Sequence, residues 1–143
     1  MVRIGGLDVG DRRIGVAISD EMGWTAQGIT VLKRTDLEAD LEALRTCLEP
    51  YAPSMIVVGL PKNMDGTIGP QAAKTLEFAR AIEAALGIPT LMWDERLTSV
   101  GAERVLLEAD LSRARRRQVI DKVAAVLILQ GYLDSRGRSD AKP

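Results

Sequence analysis

The spacing of apolar residues along the chain changes period twice, and each change marks a new kind of element. Residues 2–9 (VRIGGLDV) and 12–19 (RRIGVAIS) read as two strands joined by Gly10-Asp11, a hairpin-type turn, and residues 24–33 read as a third strand. From Leu37 the apolar residues recur at 37, 41, 44, 48 and 51, the spacing of an amphipathic helix, which Pro50 and Pro53 end. SMIVVGL (54–60) is a short unbroken apolar run, as a parallel strand covered on both faces should be. After the Gly/Pro-rich loop PKNMDGTIGP (61–70), a second helix is expected from about 71 to 86. Its inward residues are expected to be Leu76, Ala79, Ile82 and Leu86, with Gly87 and Pro89 closing it.

PTLMWD (89–94) reads as the fifth strand, and Thr98 or Ser99 can cap a third helix reaching about Ala109. The last helix, roughly 114–135, is nearly all apolar from Val119 to Leu133, which predicts a buried position. The polar tail SRGRSDAKP is expected to fray. Three strands in a meander, followed by strands alternating with helices, predict an α/β fold. Its sheet is mixed and five-stranded, antiparallel first and parallel afterwards, with flanking helices. No repeat or linker interrupts it, so residues 1–136 are expected to form one domain and 137–143 a tail.

Composition narrows the chemistry. With 46% hydrophobic residues the chain is globular rather than disordered. No run approaches the roughly 18–20 apolar residues of a membrane span, and no signal-type segment opens the chain, so a cytoplasmic protein without a membrane partner is expected. There is no histidine, which removes Ser-His and Cys-His catalysis and every His-containing zinc site. Cys47 is the one cysteine, so any metal must be held by oxygen ligands, which suits Mg2+ or Mn2+. The net charge is −1, yet its distribution is uneven. Acidic residues dominate around Asp36, Glu38, Asp40 and Glu42, and the densest basic cluster is Arg113, Arg115, Arg116 and Arg117. That cluster is either a phosphate footprint or a solvated helix start.

Three acids stand out. Asp8 lies inside a strand among Ile4, Leu7 and Val9, where a carboxylate is costly unless it is neutralised, paired or metal-bound. The D-x-G pattern there opens RNase H-like nucleases, and also sugar kinases and actin-like ATPases; a plain strand-end cap is the bland reading. Asp94-Glu95-Arg96 ends the fifth strand, where ligands collect in open α/β sheets. It is either a metal ligand beside a phosphate-binding arginine or a strand-end salt-bridge knot. Asp121 shares a helical face with Ala124, Ala125 and Ile128, so it should point at the sheet, toward a metal or into an ion pair with Arg117 or Lys122. Carboxylates from three separated segments suit two-metal hydrolysis of a phosphodiester, with the ions about 3.5–4 Å apart.

DVGDRRIGVAISD (8–20), GLPKNMDGTIGPQA (59–72), DERLTS (94–99) and VIDKVAAVLILQGYL (119–133) together resemble, in order, the motifs of the YqgF/RuvX family. These are small bacterial RNase H-like proteins described as Holliday-junction resolvases and as nucleases maturing the 5′ end of 16S ribosomal RNA. The resemblance covers nearly the whole chain. Gly5 and Val9 stand where the family more often has larger residues. It implies an RNase H-like fold and a metal-dependent endonuclease with Asp8, Glu95 and Asp121 as catalytic metal ligands. It also matches Lys62, Asn63 and Gly66 to the family's G-L-P loop. The nucleic-acid-binding residues expected are Lys62, Arg96, Arg113, Arg115, Arg116 and Arg117. The partner is a four-way DNA junction or precursor ribosomal RNA, and a junction would favour a homodimer because it needs two symmetric cuts. Two other readings stay open: an actin-like or sugar-kinase-like phosphotransferase, and a non-catalytic, ribosome-associated nucleic-acid-binding factor.

Overall fold

The computed structural model describes the backbone of residues 3–97 and 113–140 and, within the last helix, the side chains of residues 122–136. Strands β1 (Ile4–Val9), β2 (Arg13–Ser19), β3 (Ala26–Lys33), β4 (Met55–Leu60) and β5 (Thr90–Asp94) form one sheet in the order β3-β2-β1-β4-β5. The β1–β2 and β2–β3 pairs are antiparallel and the β1–β4 and β4–β5 pairs parallel, the mixed sheet predicted from the sequence. Helices α1 (Leu37–Leu48), α2 (Pro70–Leu86) and α3 (Arg113–Asp140) accompany it, with single 3-10 turns at Glu49–Tyr51 and Glu95–Leu97.

Helices cover both faces, which is why the central strands are apolar without alternation. On one face Leu7, Val9, Ile14 and Val16 of the sheet pack with Leu44 and Leu48 of α1 and Phe78, Ala79 and Ile82 of α2. On the other, Ile4, Ala17 and Val57 pack with Ala124, Ala125, Ile128, Leu129 and Leu133 of α3. Each wholly buried Leu or Ile contributes about 1.5–3 kcal/mol relative to exposure. β1 is buried on both sides along its length, and Asp8 is carried into the interior with it.

Local signals set the helix limits. The Asp36 carboxylate accepts the Ala39 N–H at 2.9 Å and caps α1. Gly87, at φ 69°, takes the left-handed turn that ends α2. Three boundaries or faces depart from expectation. The inward face of α2 is Ala72, Thr75, Phe78, Ala79 and Ile82, while Leu76 and Leu86 are only partly buried, because Phe78 rather than Leu76 fills the space above β1 and β2. The last helix continues past residue 135 to Asp140, so the start of the polar tail is helical. The helix expected from Thr98 or Ser99 to Ala109 lies outside the described residues. No helix among the described residues is long and apolar enough to cross a membrane.

Candidate metal and phosphate site

Asp8 and Glu95 both lie next to Gly59, at the ends of β1, β4 and β5. The β1–β4 register pairs Leu7 with Val58, so the next step sets Asp8 beside Gly59, and β5 places Trp93 against Gly59 from the other side. Asp8 is 8% exposed and shares its face of the sheet with Gly59 and α3. Glu95 begins the 3-10 turn that follows β5, and that turn folds its side chain back over β4. Its Cγ lies 3.2 Å from where a Cβ on Gly59 would stand. Asp8 and Glu95 both make polar interactions and neither is free.

Asp94, the neighbouring acid, is committed elsewhere. The Arg96 Nε donates to both of its oxygens at 3.0 Å, the Arg96 Nη2 at 2.7 Å and the Arg96 backbone N–H at 3.0 Å. The guanidinium hydrogen bond, followed by the backbone N–H and the charges of Arg96 and Lys62, holds the Asp94 carboxyl below the usual carboxylate range. Arg96 also donates to the Met64 carbonyl at 3.4 Å and lies against Gly66. It therefore ties the 61–69 loop to the end of β5, and the salt-bridge knot weighed from the sequence is present.

The loop itself is tightly folded. Gly66 donates to the Asn63 carbonyl at 2.8 Å, and its φ of 88° needs a residue without a Cβ. Asp65 accepts the Thr67 hydroxyl at 2.6 Å and its N–H at 3.0 Å, which lowers the Asp65 pKa. Lys62 stands at the head of this loop, directly after β4.

The third expected acid is placed by backbone alone. β3, which runs in the same sense as β1, meets Gln130 at Ala26 and Lys122 at Gly28, so residue numbers fall along α3 as they rise along β1. A Cβ on Gly6 would stand 2.7 Å from the Leu129 Cβ and 3.3 Å from the Ala125 carbonyl, so α3 packs directly on β1. Ala124, Ala125 and Ile128 are buried, as their spacing predicted. Asp121 is one turn before Ala125, and Asp8 is two residues after Gly6. The side chains of Asp121 and of Arg113, Arg115, Arg116 and Arg117 lie outside the described residues. Among the described residues no group of three metal-ligating side chains forms.

A support for this end of the sheet had no signature in the sequence. Arg34 donates from Nε to Asp40 at 3.1 Å and from Nη1 to the Gly10 carbonyl at 2.9 Å, with its guanidinium over the Phe78 ring at 4.7 Å. The buried Asp40 also accepts the Thr35 N–H at 2.9 Å. The turn after Asp8 is thereby fastened to α1 and α2.

Residues 2–135 match the family described as "RuvX: Holliday junction resolvase". A Moorella thermoacetica protein named "Putative pre-16S rRNA nuclease" is 59% identical over 138 residues, covering 96% of this chain and 99% of its own. A Heliobacterium modesticaldum protein of the same name is 55% identical over 141 residues, covering 99% and 95%. Among solved structures, Thermus thermophilus RuvC bound to a Holliday junction aligns with a TM-score of 0.61 at 14% identity, over 94% of this chain and 96% of that one. The yeast mitochondrial resolvase Ydc2 aligns with a TM-score of 0.58 at 13% identity, over 97% and 80%. These likenesses show the RNase H-like fold of the resolvases.

Proposed function

Because the chain belongs to the RuvX family, a family of nucleases, we propose that it is a metal-dependent endonuclease whose metal ligands are Asp8, Glu95 and Asp121. The observation that carries this reading is the arrival of Asp8 and Glu95 at Gly59 from two different strands. The donor set is oxygen only, which fits Mg2+ or Mn2+, and the missing side chain of Gly59 lets Glu95 and Ile128 close over β4. When bound, such ions supply an activated water and stabilise charge on the leaving oxygen.

The chain's own residues supply the rest. Asp8 is held by the buried β1 strand, and Glu95 by the 3-10 turn that Arg96 pins through Asp94. Lys62 stands in the loop after β4, near enough to Asp94 for its charge to lower that carboxyl's pKa, and contributes positive charge for a substrate phosphate. Arg113, Arg115, Arg116 and Arg117 supply affinity at the start of α3. Replacing Arg115, Arg116 and Arg117 with alanine is expected to flatten the salt dependence of binding.

The substrate we favour is the 5′ end of precursor 16S ribosomal RNA, because the relatives with that name share 55–59% of their residues with this chain. A four-way DNA junction is the second reading, favoured by the family's description, and it would require a homodimer to make paired cuts. Family membership leaves the phosphotransferase alternative without support. The test is cleavage of both substrates side by side by purified protein with Mg2+ or Mn2+. Specific cuts at the precursor's 5′ end support the reading. Cuts confined to the junction favour the second, and no cleavage of either by wild type overturns both.

A further inference from the structure

Some of the cations near this end of the sheet are paired. Arg34 is paired with Asp40, Lys74 with Asp11 at 3.7 Å and Arg96 with Asp94. Arg13 and Lys33 have no carboxylate partner among the described residues, although the register sets them directly opposite each other across β2 and β3. Like charges opposed in this way destabilise a sheet.

Their position is informative. Ile14 and Leu32, the adjacent residues of the two strands, pack into the core beneath α1 and α2, so alternation sends Arg13 and Lys33 to the opposite face, the face of Asp8. Asp8 pairs with Gly15, two residues along β2 from Arg13, roughly 7 Å at the rise of an extended strand. Gly15 has no side chain to separate them. The same face of the edge strand carries Lys122, whose stem lies across Gly28. In sheet order, the basic pair stands on β3 and β2, Asp8 follows on β1, and Lys62 and Glu95 follow beyond β4 and β5.

We propose that Arg13 and Lys33 grip the phosphate backbone of the substrate strand on the β2–β3 side of the cut, so that the strand crosses the end of the sheet from Lys62 past Asp8 to the outer edge. The proposal rests on the nuclease reading for the place of the cut. Anionic phosphates would relieve the repulsion between the two cations, and Lys33 is exposed at the end of the edge strand.

The test is the salt dependence of binding, read by fluorescence anisotropy with a labelled four-way junction and a labelled RNA strand in EDTA. Lys74→Gln, a cation already paired and outside the track, is the control. The double variant Arg13→Gln/Lys33→Gln is expected to lower the slope of log K against log salt by roughly 1.4–1.8, two phosphate contacts at about 0.7–0.9 each. Thermal stability is expected to hold or rise, because the repulsion is removed, which a purely structural role would not produce. An unchanged slope in a double variant that still folds overturns the track. Cleavage measured in parallel separates the two claims. If wild type cuts and Asp8→Asn does not, yet the slope is unmoved, the metal site stands and the track falls. If Asp8→Asn cuts like wild type while the slope drops, the track stands and the metal site falls.

Discussion

The Cγ of Glu95 lies 3.2 Å from the point where a Cβ on Gly59 would stand, so the width of one missing methyl group decides where this carboxylate sits. Gly59 is also the residue beside which β1 delivers Asp8. A single backbone position on β4 therefore borders two acids that are 87 residues apart in the chain.

Gly59→Ala is expected to lose activity out of proportion to stability. The new methyl meets the end of the Ile128 side chain as well as Glu95, and overpacking of this kind costs about 1–3 kcal/mol. Adding Ile128→Val makes room on the helix side and should recover melting temperature. Activity should stay low, at most about a tenth of wild type, because a displacement of about 1 Å can cost on the order of 100-fold. Equal recovery of both quantities would show that Glu95 is indifferent to Gly59.

The two adjacent acids should separate cleanly. Glu95→Gln is expected to remove most cleavage while leaving the fold intact. Asp94→Asn weakens the hold on Arg96, and so should loosen the 61–69 loop, seen as faster proteolysis there, with catalysis reduced far less. An inactive Asp94→Asn beside an active Glu95→Gln would reverse the assignment.

Much of this was legible beforehand, for reasons that differ by element. β4 was visible because a strand covered on both faces is apolar throughout, and Ala124, Ala125 and Ile128 were visible because close packing of a helix on a sheet demands small or apolar residues at one spacing. Asp8 was conspicuous as a charge inside an apolar run. The partner of Arg96 was open because a lone triplet does not say which acid it pairs with; four hydrogen bonds go to Asp94. The Arg34 clamp was invisible, since Gly10, Arg34, Asp40 and Phe78 meet only in three dimensions. Arg13 and Lys33 were likewise unremarkable until register set them side by side.

Asp40→Ala is expected to destabilise the protein by about 3 kcal/mol, because it strands the Arg34 guanidinium and the Thr35 N–H in a largely buried place. Asp40→Ala combined with Arg34→Met removes both charges and keeps an apolar stem on Phe78, so part of that loss should return. Urea denaturation measures both variants, and additive losses would deny the coupling.

Acid should weaken the fold through Asp20 and Asp65. Hydrogen bonds from the Trp24 N–H lower the Asp20 pKa, and those from the Thr67 side chain and N–H lower that of Asp65. A carboxyl whose folded pKa is depressed stabilises above its unfolded value, about 3.9, and that contribution is lost as pH falls through the folded value. Melting temperature should therefore be insensitive to these groups from pH 7 to about 5 and fall below about pH 4. Asp20→Asn and Asp65→Asn should each make the acid limb shallower, and a limb as steep as that of wild type would contradict the assignment.

The central claim is tested most directly by single-turnover cleavage of precursor 16S ribosomal RNA by wild type, Asp8→Asn, Glu95→Gln and Asp121→Asn across a titration of Mg2+ and Mn2+. The account predicts that wild type cuts only with metal, stops in excess EDTA and recovers on metal addition. Each variant should remain folded and lose most of its cutting at every metal concentration. Undiminished cutting in EDTA, or by any one of the three variants, would contradict it.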